Sequence, residues 1–213
     1  MTGGLEELET SRGARVRLEI DAGRTMSVVV DGGGEPRKRV SIPYPSAGYG
    51  GHELLLSSNE RYLVLWLYSG QSQIGFELFT FAPVLKHVAS LPYVLGEGLG
   101  PAFSADERYL AVASATNSSL NLEEVCEADV TQEPCVIAWA DVHARALPDG
   151  VEERCRVDVR IPAGFPCEGD VSYYPTDLSV AADEVAFRTG WGVQVRIPLP
   201  LPPVFVIAGP SER

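Results

Sequence analysis

The chain contains no apolar run of 18 residues, so no helical membrane span is expected. Its longest apolar stretch, Tyr62 to Tyr68, has the length of a strand. The N-terminal residues Met1 to Arg17 carry Glu6, Glu7 and Glu9 and hold no apolar h-region, which argues against a secretory signal there. A cytoplasmic location is therefore the default expectation. Basic residues are also scarce. Lys and Arg number 17 against 29 Asp and Glu, a formal net charge of −12, and such a surface repels phosphate backbones. A nucleic-acid partner is not expected. The one compact basic run, Arg37-Lys38-Arg39, reads as a solvated strand start.

Catalytic signatures are missing as well. There is no serine nucleophile elbow, no H-E-x-x-H and no P-loop. Gly96-Glu97-Gly98-Leu99-Gly100 has the wrong spacing for a dinucleotide fingerprint and opens no expected helix. Glu123-Glu124 and Glu152-Glu153 are adjacent carboxylates, not a pair converging on one bond. No segment supplies the alternating oxygen ligands of a calcium loop. The four cysteines, Cys126, Cys135, Cys155 and Cys167, are spaced by nine, twenty and twelve residues and include no C-x-x-C pair. Reduced structural thiols are the first reading, two disulfides or a metal site the alternatives. No cofactor is expected. The histidines are His52, His87 and His143. His52, between a glycine-rich turn and a strand, is the one weak candidate for a general base. His87 in an outer strand and His143 at a strand end read as structural.

What the chain has in quantity is turn residues, 21 Gly and 16 Pro, set between short apolar runs. It also has an internal repeat. Ser57-Ser58-Asn59-Glu60-Arg61-Tyr62-Leu63 and Ser104-Ala105-Asp106-Glu107-Arg108-Tyr109-Leu110 agree at five of seven positions, and each precedes an apolar strand. Fainter copies are Asp21–Met26 before Ser27–Val30 and Ser179–Glu184 before Val185–Phe187. Strand-ending prolines mark the register at Ile42-Pro43, Leu91-Pro92, Ile161-Pro162 and Ile197-Pro198, with intervals of 49, 70 and 36 residues. A polar insertion of 21 residues, 114–134, accounts for the long interval.

A period in the forties with three or four short strands per unit predicts an all-β fold, a small β-propeller of about four blades. A β-sandwich is the competing architecture. Ala102-Phe103-Ser104-Ala105-Asp106-Glu107-Arg108-Tyr109-Leu110-Ala111 resembles the WD40-like propeller repeat, with Ala105 and Glu107 where that family prefers proline and glycine. The repeat is expected to fill residues 15–208, between a flexible segment 1–14 and a tail 209–213. The first blade reads as one strand short, and Val204–Ala208 as a terminal strand of the fourth blade that could close the ring. A dimer of two half-rings is a subsidiary expectation, so the chain is read as a monomer or a dimer.

The resemblance implies that the links between blades share one face with the insertion. Those links hold Tyr44, Tyr49 and His52, then Tyr93 and Glu97, then Glu168, Asp170, Tyr173 and Tyr174. Tyrosines among Gly and Pro suit recognition, and the insertion holds Glu123, Glu124, Glu127, Asp129 and Glu133 with no basic residue. The leading expectation is a non-enzymatic binding module or scaffold whose acidic, Tyr-rich loop face takes a cationic protein or small molecule. The alternative is a small enzyme acting on an amine-bearing or apolar molecule, with His52 and one of Glu97, Glu168 or Asp170 as acid and base. A purely structural subunit of a larger assembly fits the same residues.

Overall fold

The computed structural model describes residues 7–22, 24–44, 50–68, 73–95, 98–115, 119–121, 135–162, 170–172 and 175–209. All regular elements among them are strands. The chain forms two compact units, Met1–Val94 and Leu95–Arg213.

In the first unit, β1 (Glu7–Glu9), β2 (Ala14–Ile20), β3 (Met26–Gly32) and β4 (Glu35–Ile42) form one antiparallel sheet in chain order. A second sheet follows, again in chain order: β5 (Gly51–Leu56), β6 (Tyr62–Tyr68), β7 (Gln73–Thr80) and β8 (Lys86–Leu95). Val28, Val29 and Val30 at the centre of β3, and Tyr62, Val64, Trp66 and Tyr68 in β6, are residue types that pack well on a pleated surface. Alternation sorts the first sheet into two unlike faces. Val16, Met26, Val28 and Ile42 share a core with Leu54, Leu63, Leu65, Leu67 and Phe79 of the second sheet. The opposite face of the first sheet carries Arg15, Arg17, Glu19, Asp31, Arg37 and Arg39. The second sheet is apolar on both faces, for Tyr62, Val64, Phe76 and Leu78 occupy the other side of β6 and β7.

The second unit contains β9 (Gly98–Phe103), β10 (Tyr109–Ala115), β11 (Ser119–Asn121), β12 (Cys135–Ala146), β13 (Glu152–Ile161), β14 (Asp170–Ser172), β15 (Thr176–Val180), β16 (Glu184–Arg188), β17 (Gln194–Pro198) and β18 (Val204–Ala208). Its largest sheet runs β18-β13-β12-β10-β9, and β15-β16-β17 form a three-stranded sheet. Trp139, Cys155, Val157, Val159 and Ile161 of the former pack with Val185, Phe187, Val195 and Ile197 of the latter. Trp139 is fully buried, with its ring 5.8 Å from that of Phe187 and 5.3 Å from that of Trp191.

The repeated heptads build one turn twice. Ser57 Oγ accepts the N–H of Arg61 and Tyr62 at 3.2 and 3.0 Å, and Ser104 Oγ accepts those of Arg108 and Tyr109 at 3.1 and 2.9 Å. Glu60 and Glu107 each donate to the carbonyl three residues back, at 2.9 Å, and adopt left-handed φ of 54° and 56°. The same device recurs with Thr10 and Gly13 (φ 76°), Asp21 and Arg24 (φ 60°), and Thr189 and Gly192 (φ 86°).

Four expectations need correcting. The first sheet is not a strand short, because Leu8 pairs with Val16 in β1 and β2, inside the segment expected to be flexible. Its equivalent of the Ser57 turn is Thr10–Ala14, not Asp21–Met26, which turns at the other end of the strands. A threonine for serine and a glycine at the left-handed position hide that copy from a residue-by-residue comparison. Val204–Ala208 does not join the fourth sheet. It pairs in parallel with β13, Arg156 opposite Val204 through Arg160 opposite Ala208. The proline-rich stretch 198–203 carries the chain across, and β18 covers the β13 edge. Finally, β8 runs through Pro92 to Leu95, which an edge strand permits.

Candidate functional site

Consecutive antiparallel strands put alternate connections at the same end of a sheet. In the first unit the β1–β2, β3–β4, β5–β6 and β7–β8 turns therefore lie together. They enclose a cleft of about 620 Å³. Gly32 and Gly33, at φ of 87° and 64°, let the β3–β4 hairpin approach the β1–β2 turn. A Cβ on Gly33 would stand 3.1 Å from the Arg12 carbonyl oxygen and 3.1 Å from the Ala14 Cβ, tighter than ordinary contact. The backbone N–H of Ser11 donates to the Glu60 carboxylate, tying the two sheets' turns together. Phe81 N–H donates to the Arg61 carbonyl at 2.7 Å, as Leu147 N–H does to that of Arg108 at 2.8 Å in the second unit. Val30, Pro36, Phe81 and Pro83 supply apolar wall, and Arg12, Lys38 and Arg61 supply positive charge. The Arg61 guanidinium carbon sits 5.5 Å from the centre of the Tyr62 ring.

Of the residues singled out from the sequence, Tyr44 and His52 do not line this cleft. Tyr44 packs against the core of the first unit, with the Arg24 guanidinium carbon 5.6 Å from its ring centre. His52 is the second residue of β5, opposite Leu67, and so a strand residue, not the end of a loop. Tyr93 lies in β8 and Asp170 begins β14. Tyr49, Glu97, Glu168, Tyr173 and Tyr174 lie outside the described residues. In the second unit β11 pairs with β14, Ser119 opposite Ser172, Leu120 opposite Val171 and Asn121 opposite Asp170. That ribbon joins the insertion to the third link. No family model matches this chain, and no curated protein matches it.

The strands also hold polar clusters built around His87 and His143, with carboxylates as their partners. Glu77, buried on β7, sits 2.6 Å from His87 Nε2 and accepts from Ser90 Oγ at 2.7 Å. A carboxylate inside Phe76-Glu77-Leu78-Phe79 is the sequence signal for such a network, since a buried charge requires partners. Glu77 stands between the histidine and the hydroxyl. The arrangement satisfies a buried acid and does not activate a nucleophile, which needs the base on the hydroxyl. His143 falls within β12, its Nδ1 2.6 Å from Glu152 Oε1, and Arg154 grips Asp141 with two bonds of 3.1 and 2.8 Å. Burial, with Glu53 accepting its hydrogen bond, holds the Tyr68 hydroxyl well above the ordinary phenol range.

Cys135 and Cys155 are free thiols, and Cys126 and Cys167 lie outside the described residues. Burial, with Asp141 and Asp158 adding to it, pushes Cys155 up to about 11, so its thiol stays protonated and unreactive at neutral pH. Among the described residues no group of three or more His, Cys, Asp or Glu is placed to hold a metal ion, and no helix is long and apolar enough to cross a membrane.

Proposed function

We propose that this chain is a non-enzymatic binding module built of blade-like sheets, with its recognition surface on the link side of the second unit. Three features support reading the sheets as propeller blades. Two consecutive sheets are four-stranded meanders in chain order. The β5–β6 and β9–β10 turns share one hydrogen-bonding pattern. The second sheet is apolar on both faces, as a blade between two others requires and a layer of a two-sheet sandwich does not.

One observation carries the binding reading: the pairing of β11 with β14. It ties the insertion 114–134 to the link 162–175, two segments that together carry seven carboxylates and no Lys or Arg. Segments of that charge suit a cationic partner, and loops on a rigid sheet scaffold are where recognition is usually placed.

The test is fluorescence anisotropy with a labelled oligolysine peptide. Neutralising Glu123, Glu124, Glu127, Asp129 and Glu133 to amides should weaken binding about tenfold or more, and Leu120→Pro, which breaks the ribbon, should weaken it too. A control with five acids neutralised elsewhere, Glu6, Glu7, Glu9, Asp149 and Asp183, matches the change in net charge and so separates local recognition from it. Equal affinity of the insertion variant and this control would remove the surface from consideration.

A further inference from the structure

We propose that the cleft in the first unit is a binding site for a small organic oxyanion carrying an apolar body, independent of the acidic surface proposed above and opposite to it in charge. The site lies at the ends of β3 and β4 away from Met26 and Ile42, and neither Tyr44 nor His52 lines it. Its volume of about 620 Å³ falls in the range usual for small-ligand sites, roughly 300–1,000 Å³.

Charge points to an anion. Among the described lining residues three, Arg12, Lys38 and Arg61, are cationic and one, Glu60, is anionic, in a chain whose net charge is −12. The Glu60 carboxylate is turned to the Ser11 N–H, so that acid is held by backbone. Arg12 and Lys38 have further contacts within the protein, and an incoming oxyanion joins that network instead of meeting bare charges. A concave positive site on an acidic protein concentrates field lines, which favours small anions that the remaining surface repels. Apolar wall beside the cations, from Val30 and Phe81 among others, favours an oxyanion with a hydrocarbon or aromatic body over inorganic phosphate.

How the cations reach the cleft follows from strand geometry. In β4, alternation sends Arg37 and Arg39 to the charged face and Lys38 to the opposite one. Arg37 bonds Glu19 at 2.8 Å, whereas Lys38 lines the cleft. Arg61 follows the left-handed Glu60, so the turn that builds the repeat also aims a guanidinium at the cleft mouth.

The experiment uses the full chain, isotopically labelled, titrated with 1-naphthoate, 1-naphthyl phosphate and the neutral 1-naphthalenemethanol, with amide shifts followed by NMR. One or both anions should bind about tenfold tighter than the neutral compound, move the amides of residues 10–14, 57–61 and 81, and weaken as salt rises. The two anions differ only in headgroup, so their ratio assigns carboxylate or phosphate. Arg61→Gln and Lys38→Met should each weaken the anion about fivefold or more, the loss expected for a charge-assisted contact, with the melting temperature held. If Lys38→Met lowers that temperature, the exposed Arg61 decides alone. Equal affinity for all three compounds, no binding, an unaffected Arg61→Gln variant, or shifts confined to residues 50–56 overturns the proposal.

Discussion

Ser104 does three things in its turn. Its Oγ accepts the N–H of Arg108 and of Tyr109 and donates to Asp106 Oδ1 at 2.7 Å. Asp106 also receives the Arg108 side chain at 2.6 Å and the Arg108 N–H at 3.1 Å. These donors, the Ser104 hydroxyl first, favour the charged carboxylate and lower Asp106 to about 2. A depressed carboxyl stabilises the fold above its unfolded value of roughly 3.9 and loses that contribution as pH falls toward 2. A carboxyl NMR titration should therefore find a midpoint near 2 for Asp106, and Ser104→Ala should move it upward. The same substitution should cost about 1–2 kcal/mol in urea unfolding, because Ser104 is buried and the two N–H groups lose their acceptor. A midpoint close to 4, unmoved by Ser104→Ala, would mean that the turn's hydrogen bonds do not persist in solution.

Strands were the most legible elements, and the reason is visible in β13. There Cys155, Val157, Val159 and Ile161 are buried and alternate with charged residues, a period that only a half-buried strand satisfies. Less legible was what alternation does to charge. Arg37-Lys38-Arg39 looks like one basic patch, yet β4 divides it between two faces, and the sequence carries no sign of which acid meets which arginine. In the structure Glu19 takes Arg17 at 2.9 Å and Arg37 at 2.8 Å, with Arg39 3.8 Å away. Removing the shared acid should cost more than removing any one base. Glu19→Gln is expected to lose about 1 kcal/mol, and Arg37→Gln or Arg39→Gln about 0.5 kcal/mol or less, since exposed pairs are screened by solvent. Urea unfolding of the three variants measures this. An Arg39→Gln cost equal to that of Glu19→Gln would show that the network is not centred on Glu19.

At the scale of the whole molecule, the all-β class was readable, while the cleft was not, because its residues come from four turns and the strand ends beside them, which only strand pairing brings together. Arg12, Lys38 and Arg61 share no spacing that a motif search would notice. The repeat, by contrast, announces itself because the same turn must be built each time. What the repeat does not state is whether every sheet is covered on both faces, as the blades of a closed ring would have to be. The first sheet bears directly on that. Its outer face holds Arg15, Arg17, Glu19, Arg37 and Arg39, and the Arg37 and Arg39 side chains are 55% and 46% exposed. Val29, paired with Arg17 and Arg39, is fully buried, so the face combines covered hydrocarbon with wet charge. Replacing Arg37 and Arg39 together by leucine distinguishes the two conditions. On a face in water the change creates an exposed apolar strip beside Val29, which should drive self-association with little change in melting temperature. On a face covered by another sheet the same leucines would add buried apolar area, raise the melting temperature and leave the chain monomeric. Size-exclusion chromatography with light scattering and a thermal melt read both quantities. The exposure of the two arginines makes association the expected result, and a stabilised monomer would place this face inside a ring.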